Sequence, residues 1–249
     1  MPEKSAADIG KEAAARAAIA LVEDGMRVGL GTGSTAAVMV RLLAERARAE
    51  GLALRCAATS QATADLASGL GLAIEALDDI GWLDLTIDGA DEIDPDLHLI
   101  KGGGGALLRE KIVAAASDRM VVIADQDKVV ERLGMFHLPV EVIPFGWETT
   151  CRHVKSVLDE HDLAQRPVLV RRRDEQPYRT DEGNFILDLA LEEICEPASL
   201  SRALNAIPGV VENGLFLNIC SLALIGRHDG TMAELRRDPH ELGEAEADE

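Results

Sequence analysis

The stretch Val28–Val38, VGLGTGSTAAV, decides how the chain is read. Apolar residues run into alternating glycines and hydroxyl side chains, then into an alanine-rich run, the pattern of a strand that turns tightly into a helix. Such a turn gathers unpaired N–H groups and the positive end of the helix dipole at one point, which makes it a ready anion site. Glycines 31 and 33 let backbone approach an anion, while Thr32, Ser34 and Thr35 add hydroxyl donors. A plainer reading, in which the glycines only permit a tight turn, stands beside this one on the segment alone. Gly31, Gly33 and Ala36 also satisfy a loose dinucleotide fingerprint, which calls for an acidic residue at the end of the next strand. That strand ends RCAATSQAT, with Thr59, Ser60 and Thr63 where a carboxylate would hold a ribose.

Working outward, an alanine-rich amphipathic helix over residues 8–23 precedes the strand MRVGL, and a second helix follows the glycine loop. The alternation continues through LALRCAA, the helix QATADLASGLG, the strands IEAL and LDLTIDGADEID, the helix ALLREKIVAAASD and the strand RMVVIAD. This order predicts an α/β fold, a Rossmann-like parallel sheet covered by helices. After about residue 132 the order becomes LPVEVIP, TTCRHVKSVLDEH, PVLVRR, FILDLAL, LSRALNAI and VVENGLFL, a βαββαβ, ferredoxin-like α+β unit. CSLALIG would then return to the main sheet. The expected organisation is a catalytic domain of residues 1–132 plus 217–232, a smaller domain of residues 133–216 inserted before the last strand, and a solvated acidic tail over residues 233–249.

The net charge of −19 (25 basic against 44 acidic side chains) argues against nucleic acid or an anionic membrane surface as partner. An anionic ligand must be captured locally, which makes the 6 lysines informative. Cys56, Cys151, Cys195 and Cys220 lie far apart, suggesting neither a zinc site nor a disulfide framework. The N-terminal segment has no signal-peptide core, and no apolar run approaches the ~18 residues of a membrane span, so a cytoplasmic location is expected.

Two further loops carry chemistry. In TIDGADEIDPDLHLIKGGGGALLREKIV, Asp88, Asp91 and Glu92 follow an apolar strand, where ligands of open α/β sheets gather. Carboxylates there suit sugar hydroxyls or proton transfer between ring oxygen and water. A metal is the alternative, though the run lacks an EF-hand glycine and a histidine cluster. Asp94 and Asp96 fit a solvated turn better. Lys101 then opens a run of four glycines, Gly102–Gly105, whose entropic cost is best offset by backbone N–H groups facing a ligand. Lys101 supplies a point charge for a developing oxyanion, and Glu110, on the following helix, a base. The ordinary glutamate pKa of about 4.3 would leave that base ionised at neutral pH without tuning.

Taken in series, GLGTGSTA, DGADEID and KGGGGALLREKIV, then IADQDK, LPVEVIP and AIPGVVENGLF, resemble the type A ribose-5-phosphate isomerase family over residues 10–226. The resemblance implies interconversion of D-ribose 5-phosphate and D-ribulose 5-phosphate in the pentose phosphate pathway, with neither metal nor organic cofactor. It implies substrate contacts at Thr32, Gly33, Ser34 and Thr35, at Asp88, Gly89, Ala90 and Asp91, and at Lys101, Gly102, Gly103 and Gly104. It places the general base at Glu110 and substrate-binding lysines at Lys128 and Lys11. One position departs from many members, Leu108 standing where they carry Thr. The partner expected is a small sugar phosphate, and the apolar GLFLNICSLALIG region makes a homodimer or homotetramer the expected assembly. A coenzyme A transferase, an amino-sugar phosphate deaminase and a non-catalytic ligand sensor are rival readings of the same loops.

Overall fold

The computed structural model describes residues 5–237. In chain order, α1 (Ala6–Ile19) leads to β1 (Arg27–Leu30), α2 (Ser34–Glu50), β2 (Arg55–Ala58), α3 (Gln61–Gly69) and the short α4 (Leu77–Ile80). Next come β3 (Leu85–Asp88), β4 (Glu92–Ile93), β5 (Leu99–Ile100), α5 (Leu107–Ala115) and β6 (Met120–Asp125), which ends in a 3₁₀ turn, Gln126–Lys128. The second unit holds β7 (Leu138–Val142), α6 (Trp147–Glu160), β8 (Val168–Val170), a β9 (Arg172–Arg173) and β10 (Gln176–Pro177) hairpin, β11 (Phe185–Leu189), α7 (Pro197–Asn205) and β12 (Val210–Asn213). β13 (Leu215–Phe216), β14 (Cys220–Gly226) and β15 (Met232–Arg236) complete the chain.

The main sheet has the order β15-β14-β6-β3-β1-β2. Its interior pairs are parallel, and β3 and β6 are buried along their whole lengths, as strands covered by helices on both faces must be. Alanines do much of the packing: Ala14, Ala15 and Ala18 of α1 are fully buried with Val28, Leu30, Ile87 and Val121. Chain direction across the sheet reverses at β1, whose neighbours are β2 and β3. The ends of β1 and β3 therefore flank the crevice where open α/β sheets bind ligands. The second sheet, β12-β7-β11-β8, has the ferredoxin-like order and is antiparallel throughout.

Three expectations change. The main sheet is mixed, because β15 pairs antiparallel with β14 from Leu222–Arg236 to Gly226–Met232. Residues 232–236 thus form an edge strand, with alternate residues exposed, where a tail had been expected from residue 233; residues 238–249 of that tail lie outside the described residues. IEAL is no strand: Ile74 makes a single bridge to Cys56, and Leu77 opens α4. VVENGLFL is divided at Gly214, and β13 turns to pair with β5.

Candidate active site

The C-terminal edge of the main sheet encloses a cavity of about 350 Å³. The loop after β1 brings Thr32, Gly33, Ser34 and Thr35 to it, and the loop after β3 brings Gly89, Ala90 and Asp91. Lys101, Gly102, Gly103, Gly104 and Glu110 reach it from the segment leading into α5, Asp125, Asp127 and Lys128 from the end of β6, and Lys11 from α1. Lys11 arrives because α1 lies directly against β14: a Cβ on Gly226 would sit 1.7 Å from the carbonyl oxygen of Gly10.

Gly33 caps α2 with φ +113° and no side-chain cap bond, so the first N–H groups of a 17-residue helix stay open toward the cavity. The backbone angle, not space, requires glycine there, since a Cβ would meet nothing within 4 Å. Gly31 serves a different purpose from the one expected. A Cβ on it would lie 2.0 Å from Asp88 Oδ1, so it makes room for a carboxylate rather than for an anionic ligand.

The Thr32 hydroxyl is also committed. It donates to Ser60 Oγ at 2.8 Å and lies 2.7 Å from Thr59 Oγ1 and 3.1 Å from Thr63 Oγ1. Thr63 in turn donates to the carbonyl of Gly31, and Thr59 to that of Leu30. These buried hydroxyls hold the loop from below, leaving Ser34, exposed at the start of α2, as the better-placed hydroxyl donor to a ligand.

Beneath the cavity three charged side chains are buried together. Lys101 Nζ lies 2.9 Å from Asp88 Oδ2 and 3.4 Å from Glu110 Oε1, and it donates to the Gly89 carbonyl at 2.6 Å. Asp88 Oδ1 accepts from the N–H groups of Thr32 (3.0 Å) and Gly89 (2.7 Å). The contact with Lys101 is an ion pair without hydrogen-bond alignment at Asp88 Oδ2, and Glu110 Oε2 is buried with no hydrogen-bond partner. Burial pulls the Lys101 ammonium down, but Asp88 and Glu110 outweigh it and raise its pKa. Burial pushes the Glu110 carboxyl up to about 8; Lys101 opposes the rise, and Asp88 and Asp91 add to it. The Asp88 carboxyl is likewise raised by burial, against the pull of Lys101. The expectation of an untuned, fully ionised base is therefore corrected.

The acidic residues separate by position. Asp91 lines the cavity and accepts from Gly103 N–H at 2.8 Å, whereas Asp88 lies under the floor. Glu92 faces away, holding the N–H groups of Gly134 (2.7 Å) and Phe136 (2.5 Å). Asp94, Asp96 and His98 form, among the described residues, a group close enough to share an ion, away from the cavity lining.

Residues 55–230 match the family described as ribose 5-phosphate isomerase A (phosphoriboisomerase A). The ribose-5-phosphate isomerase A of Jannaschia sp. (strain CCS1) is 60% identical over 230 residues, covering 92% of this chain and 88% of that protein. The chain belongs to the ribose 5-phosphate isomerase A family. Among solved structures, a ribose 5-phosphate isomerase A from Methanocaldococcus jannaschii superposes with TM-score 0.84 at 38% identity, over 92% of this chain and 98% of that one. A D-ribose-5-phosphate isomerase in complex with phospho-erythronic acid gives TM-score 0.85 at 35% identity, over 93% and 99%.

In this member of the isomerase A family, the cavity gathers every residue that the resemblance placed at the site except Asp88, which lies beneath it, and it leaves out Glu92. Asp125 and Asp127 at the cavity wall were not foreseen, although they share IADQDK with Lys128. Nor were the contacts from the second unit. Arg171 donates to the carbonyls of Gly102 and Gly103, and Tyr178 to that of Gly104 at 3.4 Å. No local pattern marks those residues, which lie about seventy positions from the glycines they touch.

Proposed function

We propose that the chain interconverts D-ribose 5-phosphate and D-ribulose 5-phosphate through an enediolate, the aldose–ketose step of the non-oxidative pentose phosphate pathway. The observation that carries this reading is the 3.4 Å approach of Glu110 to Lys101 in a buried position at the base of a cavity whose rim holds an open helix N-terminus and two lysines. Phosphate is an acceptor-only dianion that suits the α2 N–H groups, Ser34, Lys11 and Lys128. The sugar then extends toward Lys101.

Isomerisation must open the ring, take a proton from C2, stabilise the enediolate and return a proton to C1. Asp91, at the cavity wall and oriented by Gly103 N–H, is placed to exchange the ring-opening proton. Glu110 carries the proton between C2 and C1. Lys101 faces the oxygen on which charge develops, and a fixed donor of this kind contributes about 3 to 4 kcal/mol. Asp88 keeps the ammonium charged and in place. A ligand such as phospho-erythronic acid, named with one solved relative, joins a phosphate to a second acidic group, a pairing that suits the two ends of this cavity.

Self-association as a homodimer or homotetramer belongs to the same reading, supported by the exposed apolar Ile143, Phe145 and Leu169 on the second unit; sedimentation equilibrium tests it. Incubation of the purified protein with ribose 5-phosphate alone tests the activity. Ketose should form without added coenzyme and without ammonia release; dependence on a coenzyme A thioester, or ammonia release from an amino-sugar phosphate, would replace this reading with one of its rivals.

A further inference from the structure

Within the four-glycine loop the Gly105 N–H turns back onto the Gly102 carbonyl at 2.9 Å, but nothing inside the loop holds the Gly103 carbonyl or aims the Gly104 N–H. The aim comes from outside the cavity. Arg171 spans the guanidinium fork between two partners: its Nε and one terminal nitrogen pair with Asp188 at 2.9 and 2.5 Å. The other terminal nitrogen donates to Gly102 O at 2.8 Å and Gly103 O at 3.1 Å. Arg171 is itself anchored by its own N–H on Ile186 O at 2.8 Å, and Asp188 by the pairing of β11 with β8 and β7.

A trans peptide unit is planar, with its C=O and N–H pointing in opposite directions. Holding Gly102 O toward Arg171 therefore turns the N–H of the same unit, that of Gly103, the other way. It meets Asp91 Oδ2 at 2.8 Å. The next unit obeys the same rule: with Gly103 O on Arg171, the Gly104 N–H points away from the guanidinium. Arg171 does not line the cavity and Gly104 does, and no group among the described residues accepts from Gly104 N–H.

We infer that Arg171 is a positioning residue for the isomerisation: it fixes two successive peptide planes of the glycine loop, so that Gly103 N–H holds Asp91 and Gly104 N–H is presented to the oxyanion beside Lys101. The inference rests on the isomerase reading for its chemistry, though the loop geometry stands without it. Lysine cannot substitute, because a single ammonium does not serve a carboxylate bidentately and two carbonyls together.

The test uses the full chain, with Arg171→Ala, Arg171→Lys and the milder Asp188→Asn. Amide exchange at Gly103, read by NMR, should quicken about tenfold or more once the peptide plane is released, whatever the protein catalyses. With ribose 5-phosphate, kcat should fall about 10- to 100-fold in Arg171→Ala, in line with the loss of an aimed oxyanion donor. The inhibition constant of inorganic phosphate, which reads the α2 end, should stay within about twofold, and millimolar guanidinium should restore part of the lost kcat. Arg171→Lys should not recover the wild-type rate. Asp188→Asn should shift Gly103 exchange and kcat in the same direction by less, and it decides the matter if Arg171→Ala does not fold. Unchanged Gly103 exchange overturns the positioning role, and so does a fall in phosphate affinity in step with kcat without rescue. A wild type that exchanges Gly103 slowly yet fails to isomerise ribose 5-phosphate overturns the functional reading instead.

Discussion

The two glycine loops of the cavity are built on opposite principles. The loop after β1 is assembled from nearby elements of the main sheet: a left-side φ at Gly33, the open end of α2, and buried hydroxyls supplied by residues 59–63. The loop before α5 is held across the fold, with Arg171 and Tyr178 of the second unit gripping its glycine carbonyls, while Asp88 meets Lys101 from beneath. Anion capture needs only oriented backbone, which a short contiguous segment can encode. Proton transfer needs charges desolvated together, which only tertiary packing supplies.

The comparison breaks most visibly at Glu110. Glu110→Gln keeps the shape and removes the proton acceptor, so kcat should drop about 100- to 10,000-fold while substrate affinity, set at the other loop, stays within about tenfold. Near-normal turnover would take the base role from Glu110. The wild type should also wash deuterium from solvent into the C2 position, and complete retention would point to a proton shielded from solvent or to a hydride shift.

Next in size is the pH dependence. With the carboxyl at about 8 in the free protein, kcat/KM should climb with pH and level off above that value. The sign for stability is the reverse. An unfolded glutamate titrates near about 4.3, so the contribution from a neutral buried Glu110 is complete below that pH and is lost as pH rises toward 8. Urea titrations at pH 5 and pH 8 should therefore converge in Glu110→Gln relative to wild type. An acidic limb with a midpoint near 4 would show that the buried cluster is relaxed in solution.

Legibility followed the same division. The β–loop–α rhythm, the ferredoxin-like insert and the anion loop were readable because period and turn chemistry are local. β15 was missed because MAELR sits at the head of an acidic run, and its alternation, with Ala233 and Leu235 half-buried, is short. Thr32 lines the cavity as expected, but the commitment of its hydroxyl is not legible, because a hydroxyl in a loop looks the same in sequence whether it faces a ligand or, as here, Thr59, Ser60 and Thr63. The raised Glu110 pKa was invisible, since a glutamate three positions into a helix gives no sign of being buried beside Asp88 and Asp91. Arg171 carries its message across the fold, where one sequence gives no spacing to read.

A smaller effect is expected at the local loop. Ser34→Ala removes one donor to a charged group, about 1.5 to 3 kcal/mol, so ribose 5-phosphate and inorganic phosphate should both bind about ten- to hundredfold more weakly. Free ribose should bind poorly to both proteins alike. Thr63→Val, which takes one hydroxyl from the cluster under the loop, should cost about 0.5 to 1.5 kcal/mol of stability in urea and change KM less than Ser34→Ala. Equal effects on phosphate binding would mean that the hydroxyls below the loop, rather than those at its rim, set the anion affinity.

The smallest expected effect is none at all, under exhaustive chelation. Of the carboxylates in and under the cavity, Asp88 already meets two N–H groups and an ammonium, Asp91 a third N–H, Asp125 the N–H of Asp127, and Asp127 the His228 ring. Glu110 lies beside that ammonium, so a divalent cation bridging these groups would stand against the charge of Lys101. The Asp94, Asp96 and His98 group offers better spacing but poor chemistry. A hydrogen bond to Asp94 raises the His98 pKa, while the Arg237 guanidinium, 3.2 Å from Nε2, lowers it and sets a fixed positive charge where a cation would have to sit. Activity should therefore survive chelator unchanged, in wild type and in His98→Ala. Activity lost to chelator and restored by one divalent ion in wild type, but not in His98→Ala, would assign the ion to that outlying group. Loss and restoration in both proteins would put the cation in the cavity itself, and Lys101 would then have to yield its place beside Asp88 and Glu110.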